Sequence, residues 1–197
     1  MRQKEGSTEA ILREEAIKLI VQQGFDGFSM SKLAKASNLS VAAIYIYYKN
    51  KEELLNRLFN YVQASFSSNL LTDFSIQLPF KEGLWILWKN YLRFILENPV
   101  HFNFFDLFRN SHLINHEQIE ESAFNRSIEE FARRAINKGE IEGSEPELFW
   151  SLAFGPLNAL IRFHFEKRNV YTKEDFQINE DNLKRLFDRV LTAFIKK

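Results

Sequence analysis

The segment from Phe28 to Leu54, FSMSKLAKASNLSVAAIYIYYKNKEEL, constrains this chain more than any other. It reads as two short helices joined by a tight turn, followed at once by the capped start of a third. Ser29 caps the first short helix, whose inward face is Met30, Leu33 and Ala34. Ser37, Asn38 and Leu39 make the turn, and Ser40 caps a second short helix from Val41 to about Tyr47. Ser and Asn suit these positions because a short side-chain oxygen accepts a bond from a free N–H of the first turn. Asn50 caps the next helix, which opens Lys51-Glu52-Glu53-Leu54, its acidic pair placed where the helix dipole favours negative charge. Two short helices about a turn of roughly three to four residues have helix-turn-helix geometry, in which the second helix enters the DNA major groove.

These residues resemble the N-terminal DNA-binding domain of the TetR family of bacterial repressors. The match includes the preceding helix, with Ile11, Leu12, Ala16, Leu19 and Ile20 ahead of Gly24-Phe25, and then Ser29 and Leu33-Ala34. Its most diagnostic part is Ser40 to Leu54. The family pattern there is a Ser, a small residue, an aliphatic followed by Tyr, a further aromatic, then Lys-Glu-Glu-Leu. The resemblance covers residues 8 to 60. Many members have Gly at the position of Ala42, a polar or basic residue at that of Ile46, and Pro at that of Lys49. The recognition helix here therefore carries few side chains able to form bidentate bonds with bases.

The resemblance implies phosphate contacts for Tyr45, Tyr47 and Lys51. Lys51 sits in a first helical turn, whose free N–H groups also favour a phosphate. Ser29 and Ser40 have hydroxyls that can donate to phosphates as well as cap. Val41, Ala42 and Ala43 are small and apolar, suited to close approach and to thymine methyls. Ile44 and Tyr48 read as core. For Tyr45 and Tyr47 the competing reading is packing within a three-helix domain.

Net charge is zero over 197 residues, so nothing global demands nucleic acid, although residues 1–62 carry an excess of two positive charges. The absence of cysteine excludes disulfides, thiolate zinc sites and Cys nucleophiles, and is compatible with a reducing cytoplasm. The N-terminal residues lack the apolar stretch of a signal peptide. The longest apolar run, Phe149 to Ile161, is broken by Ser151, Gly155-Pro156 and Asn158 and is too short to span a bilayer. A cytoplasmic protein without membrane attachment is the expectation.

Apolar residues recur at helical spacing nearly everywhere, which predicts an all-α chain of about nine helices. A first helix runs from near Ser7 to Gly24, and a fourth from Lys51 into the sixties, with Ser67 to Pro79 as a loop or frayed join. Then follow helices over about Phe80–Glu97, Val100–Arg109, His116–Lys138, Pro146–Lys167 (kinked by Pro156) and from Asn179 onward. The functional division expected is a DNA-binding domain over 1–50 and a helical effector-binding and dimerisation domain over 51–197, with the fourth helix, 51–67, connecting them.

Seventeen of the twenty Phe and all three Trp follow residue 62. The resemblance implies a small-molecule site in this second part. Trp85, Trp88, Tyr91, Phe102, Phe105, Phe108, Trp150 and Phe154 offer apolar lining, and Asn158, Arg162 and His164 offer polar groups to orient a ligand. The competing reading is that an aromatic stripe at helical spacing is core. His112 and His116 have a metal-ligand spacing but no evident third partner, and Glu120-Glu121 and Glu129-Glu130 read as solvated helix surface. No Gly-rich phosphate loop or catalytic motif appears, and neither an enzyme, a metal nor a cofactor is expected. The expected protein is a homodimeric repressor of a palindromic operator, released by a lipophilic or aromatic effector. Two alternatives stand beside it: a helical DNA-binding protein without effector control, and a helical lipid-binding protein or enzyme in which the motif is incidental.

Overall fold

The computed structural model describes residues 2–109, 111, 122–167 and 175–195. Among them are nine α-helices and no strand, as the apolar periodicity requires. The helices are α1 (Arg2–Gly27), α2 (Met30–Ala36), α3 (Val41–Tyr45), α4 (Lys51–Leu70), α5 (Phe80–Glu97), α6 (Pro99–Arg109), α7 (Ala123–Asn137), α8 (Pro146–Phe165) and α9 (Glu180–Phe194). The chain separates into two compact units, Met1–Ser67 with Phe94–Ser122, and Ser68–Arg93 with Ala123–Lys197.

Local rules account for most helix ends. α1 begins at Arg2, earlier than the expected start, and its regular stretch breaks at Gly24 (φ 71°, ψ 174°). That positive φ is open to glycine because it has no Cβ to clash. α3 is shorter than expected. Ile46 N–H bonds Ala43 O at 3.4 Å and Tyr47 N–H bonds Ile44 O at 2.9 Å, a tightening to i−3 bonds that ends the helix at Tyr45. α4 continues past Ser67 to Leu70, so the expected loop shrinks to 71–79. Asn90 Nδ2 donates to Leu70 O at 3.0 Å and to Thr72 O at 2.7 Å, satisfying carbonyls at and just beyond the end of that helix. Gly139 (φ 69°) closes α7, with Gly139 N–H on Ile136 O and Glu140 N–H on Ala135 O, both at 2.9 Å. α9 opens with a reciprocal cap between Asn179 and Asn182. The expected start of α7 at His116, and with it His112, Glu120 and Glu121, lies outside the described residues.

In the first unit α1, α2, α3, α4 and α6 share one core. Leu12, Ile17, Ile20, Leu33, Ile44 and Leu58 are fully buried in it. α6 lies against α1. Its Phe108 stacks on Phe59 at 4.7 Å and meets Phe25 edge-on at 5.6 Å, while Phe105 stacks on Phe59 at 5.1 Å. Glu14 Oε2 on α1 lies 2.9 Å from His101 Nε2 on α6.

The second unit is built on aromatic contacts. Phe80 stacks on Phe131 at 5.5 Å and meets Phe194 at 5.1 Å. Trp88 Nε1 donates to Ala153 O at 2.7 Å, so the buried indole keeps a partner. α8 is continuous through Pro156 and packs beside α9. Gly83 admits the Phe131 ring: a Cβ there would stand 2.5 Å from Phe131 Cζ. Phe131 is fully buried between Phe74 and Phe80 and has nowhere to go. Gly83→Ala should therefore lower stability by about 1–2 kcal/mol, the overlap outweighing the helix propensity that alanine gains. Urea unfolding checks this, and an unchanged midpoint would show that the ring moves aside freely.

Candidate functional site

The helix-turn-helix is assembled from short-range bonds. Ser29 Oγ accepts from Lys32 N–H at 3.2 Å and Ser40 Oγ from Ala43 N–H at 3.1 Å. Asn38 holds the turn at φ 54°, a left-handed conformation that Asn tolerates. Leu39 N–H returns to Ala34 O at 2.9 Å. Asn50 Oδ1 accepts from Glu53 N–H at 2.8 Å, and Glu53 Oε2 accepts from Lys49 N–H at 2.7 Å. All three expected caps are present.

These caps fix how α3 is turned. Ile44 and Tyr48 point inward, at 0% and 2% exposure. Val41, Ala42, Tyr45 and Ile46 point outward, as does Ser40. Ser29, Ala43, Tyr47 and Lys51 are half-buried at the margins. Lys51 Nζ donates to Phe25 O at 2.8 Å and Phe28 O at 3.0 Å, so two of its three N–H groups already tie α4 to the end of α1. Its first-turn position gave no sign of this bond, which depends on where α1 ends.

Arg57 was not singled out by sequence. Its Nη1 donates to Tyr47 O at 2.8 Å, its Nη2 pairs with Glu9, and its guanidinium lies 4.8 Å over the Tyr48 ring. It thus joins α1, α4 and the end of the recognition segment. The available signal was its place one turn after Glu53, which it approaches at 3.9 Å. A crevice of about 230 Å³ opens beside it, lined by Arg13, Asn60 and Tyr61 among others. Burial, and then the Glu9 carboxylate, push the Tyr48 phenol above its ordinary 10.0, against the pull of Arg57 and Arg13. The folded state holds that proton more tightly than the unfolded chain. The resulting stability is complete below about pH 10 and is lost as pH rises through the folded value. Melting temperature should fall more steeply above pH 10 in the native protein than in Tyr48→Phe, and parallel curves would contradict this.

The aromatic candidates fall into two groups. Phe105 and Phe108 belong to the first unit and pack there as described. Trp85, Trp88, Tyr91, Trp150, Phe154, Asn158 and Arg162 belong to the second. Trp88, Tyr91 and Phe154 are buried, Trp85 and Trp150 half-buried, and Asn158 and Arg162 exposed. Tyr91 OH donates to Asn158 Oδ1 at 2.5 Å, and Trp150 lies 5.3 Å from Phe154. His164 Nδ1 accepts from Ile178 N–H at 3.4 Å. Among the described residues no group of three or more His, Cys, Asp or Glu is placed to hold a metal, and no helix is long and apolar enough to cross a membrane.

Residues 12–58 match the family model described as bacterial regulatory proteins, tetR family. A crystal structure of a TetR family transcription regulator from Marinobacter aquaeolei VT8 superposes over 100% of both chains, with TM-score 0.81 and 26% identity. The chain belongs to the TetR family. Its TetR-type fold has the N-terminal helix-turn-helix and the helical remainder expected from sequence. An uncharacterized HTH-type transcriptional regulator of Haemophilus influenzae is 40% identical over 82 residues, 42% of this chain and 44% of that protein. The fatty acid metabolism regulator protein of Bacillus subtilis is 31% identical over 71 residues, 36% of this chain and 37% of that protein. The matched stretch thus spans less than half the length of these curated relatives. The transcriptional regulator FadR from Bacillus subtilis, solved in complex with stearoyl-CoA, shares the TetR fold at TM-score 0.67 and 19% identity, covering 95% of this chain and 98% of that one.

Proposed function

We propose that this TetR-family regulator is a repressor that binds a palindromic DNA operator as a homodimer and is released by a lipophilic or aromatic small molecule. The observation that carries the DNA part is the orientation of α3. Its caps and its buried Ile44 and Tyr48 leave one face of a second helix free to enter a groove. In this reading residues 1–50 contact DNA and residues 51–197 bind effector and dimerise, joined by α4. Ser29, Ser40, Tyr45, Tyr47 and the third N–H of Lys51 anchor on phosphates, while Val41, Ala42 and Ala43 approach bases.

Dimerisation is supported by α8. Leu148 and Leu152 stay 54% and 38% exposed, and Gly155 and Ala159 continue their stripe. An apolar stripe on a helix that already buries its other side suits an isologous pairing. The effector is supported by the aromatic second unit and by the Tyr91–Asn158 polar pair within it. The fatty acid metabolism relative and the stearoyl-CoA complex favour a long acyl chain as that effector. The deep burial of Trp88 and Phe154 favours a second reading, in which this region is solid core and serves assembly alone. The protein acts in the cytoplasm, without a cofactor.

The test is a footprint on the DNA flanking its own gene, repeated with stearoyl-CoA and with hydrophobic aromatic compounds. The expected result is a protected palindrome that disappears with a compound that also perturbs tryptophan fluorescence and raises the melting temperature. A compound that raises the melting temperature while protection persists would leave a ligand site without a switch. Failure to protect or select any DNA would sink the DNA part. For assembly, removal of residues from Asn179 onward should give monomers or aggregates. A truncated protein that still sediments as a dimer would refute a dimer seam formed by α8 and α9 together.

A further inference from the structure

The outward face of α3 has an unusual chemistry for a surface that must discriminate base sequence. Val41 is 36% exposed, Tyr45 50% and Ile46 81%, and Ala42 is exposed beside them. Their spacing places them on one side of the helix, since residues about four apart share a face. That side holds no amide, carboxylate or guanidinium, and its single side-chain polar atom is the Tyr45 hydroxyl. Ser40 Oγ at the edge is engaged by Ala43 N–H. Lys32 Nζ bonds Gln23 Oε1 and Gly27 O, and Lys51 Nζ uses two of its three N–H groups on Phe25 O and Phe28 O, while the exposed Lys35 and Lys49 lie outside α3. Direct reading of guanine or adenine by a bidentate fork, which needs Arg, Lys, Asn or Gln, has no residue on this face.

One base-edge feature in the major groove is read by aliphatic contact, the C5-methyl group of thymine. Ile46 is more exposed than Val41 or Tyr45, and its backbone is held in helical conformation (φ −69°, ψ −33°) at the end of α3. From Val41 to Ile46 the segment rises about 7–8 Å, enough to pass roughly two base-pair steps. We infer that Ile46, with Val41 as its companion, reads thymine C5-methyl groups, so that each operator half-site is specified by thymines at one to three neighbouring positions. This rests on the proposed operator binding and names what that binding recognises. It also explains why so apolar a residue stands exposed: the surface that covers it is a methyl-bearing groove wall, and the contact removes both apolar groups from water.

The experiment selects bound duplexes from a random pool and then replaces each thymine of the selected site by deoxyuridine, which deletes the methyl group and leaves base pairing unchanged. Burying one methyl corresponds to about a four-fold change in affinity. Deoxyuridine at a read position should therefore weaken the full-length native protein about four-fold. Ile46→Ala should weaken binding to the thymine site by roughly ten-fold, and at the position Ile46 reads it should bind thymine and deoxyuridine alike. Ile46 is exposed, so circular dichroism should show that variant folded. Selected DNA that binds equally well with deoxyuridine at every position overturns methyl reading while leaving operator binding intact. A deoxyuridine effect undiminished in both Ile46→Ala and Val41→Ala also overturns it, tracing the preference to duplex shape. A pool in which no sequence is enriched overturns the operator reading itself.

Discussion

Ala42→Glu is expected to abolish operator binding while leaving the protein folded. Ala42 is exposed on the outer face of α3, so a longer side chain meets no core residue. Glutamate is a good helix former, and near the start of a helix its charge is favoured by the dipole. Folding therefore has no reason to suffer. In the groove the same carboxylate faces two rails of phosphate, and no cation stands on its own face of α3. Like-charge juxtaposition across an interface costs several kcal/mol, on the order of 100-fold or more in Kd. Ala42→Ser, similar in size and neutral, should stay within about ten-fold of the native protein. Fluorescence anisotropy on the selected operator reads both, alongside circular dichroism and sedimentation. Retained binding by the glutamate variant would mean that α3 does not enter the groove.

The second large effect is one of stability and concerns a residue far along the chain. Phe108→Ala should lower unfolding free energy by about 3–5 kcal/mol, the usual cost of removing a fully buried phenyl ring. Phe108 is at 0% exposure and touches rings from α1 and α4, Phe25 and Phe59. The cavity would open between the helix that precedes the helix-turn-helix and the one that follows it. Set against a typical total of about 5–15 kcal/mol, the loss threatens the whole unit, and operator binding should fail well below the native melting temperature. Leu107→Ala is the control, because Leu107 is 40% exposed on the other side of α6. It should cost under about 1 kcal/mol. A loss below about 1 kcal/mol for Phe108→Ala would show that α6 docks loosely.

What was legible in the residues was whatever short-range chemistry decides. Ser29, Ser40 and Asn50 are caps whose partners lie three residues away, and each makes its expected bond. The buried stripe of α7, Phe124, Ile128, Phe131, Ala132 and Ala135, follows from helical spacing alone. The choice of partner across space was not legible. Phe105 and Phe108 looked like their aromatic neighbours in sequence, and nothing local distinguishes a ring that packs on Phe59 from one that lines a cavity. Local sequence marks Lys51 only by its place in a first turn, yet the carbonyls it meets belong to residues 23 and 26 positions earlier. Ile46 departs from the family pattern. Its meaning needed the exposure of the whole α3 face, which depends on how Ile44 and Tyr48 are buried.

The core of the first unit is closed by a helix that comes late in the chain, and this has a consequence for synthesis. When Leu70 has been added on the ribosome, all the residues of α1 to α4 have been made, but Phe25, Phe59 and the apolar side of α1 have no lid. The missing piece arrives with Phe104 and Phe108, after the whole of α5 has been made. At roughly 5–20 residues per second that interval lasts a few seconds, during which a nascent DNA-reading segment is present without its finished scaffold. Premature termination anywhere between α4 and α6 would then release a chain with a complete helix-turn-helix sequence and an open apolar flank. Such fragments are fit for degradation or clumping, not for occupying an operator. Transcript truncation should therefore not yield a constitutive dominant repressor, and a dissected DNA-binding fragment should need α6 supplied through a graft or a shortened connection.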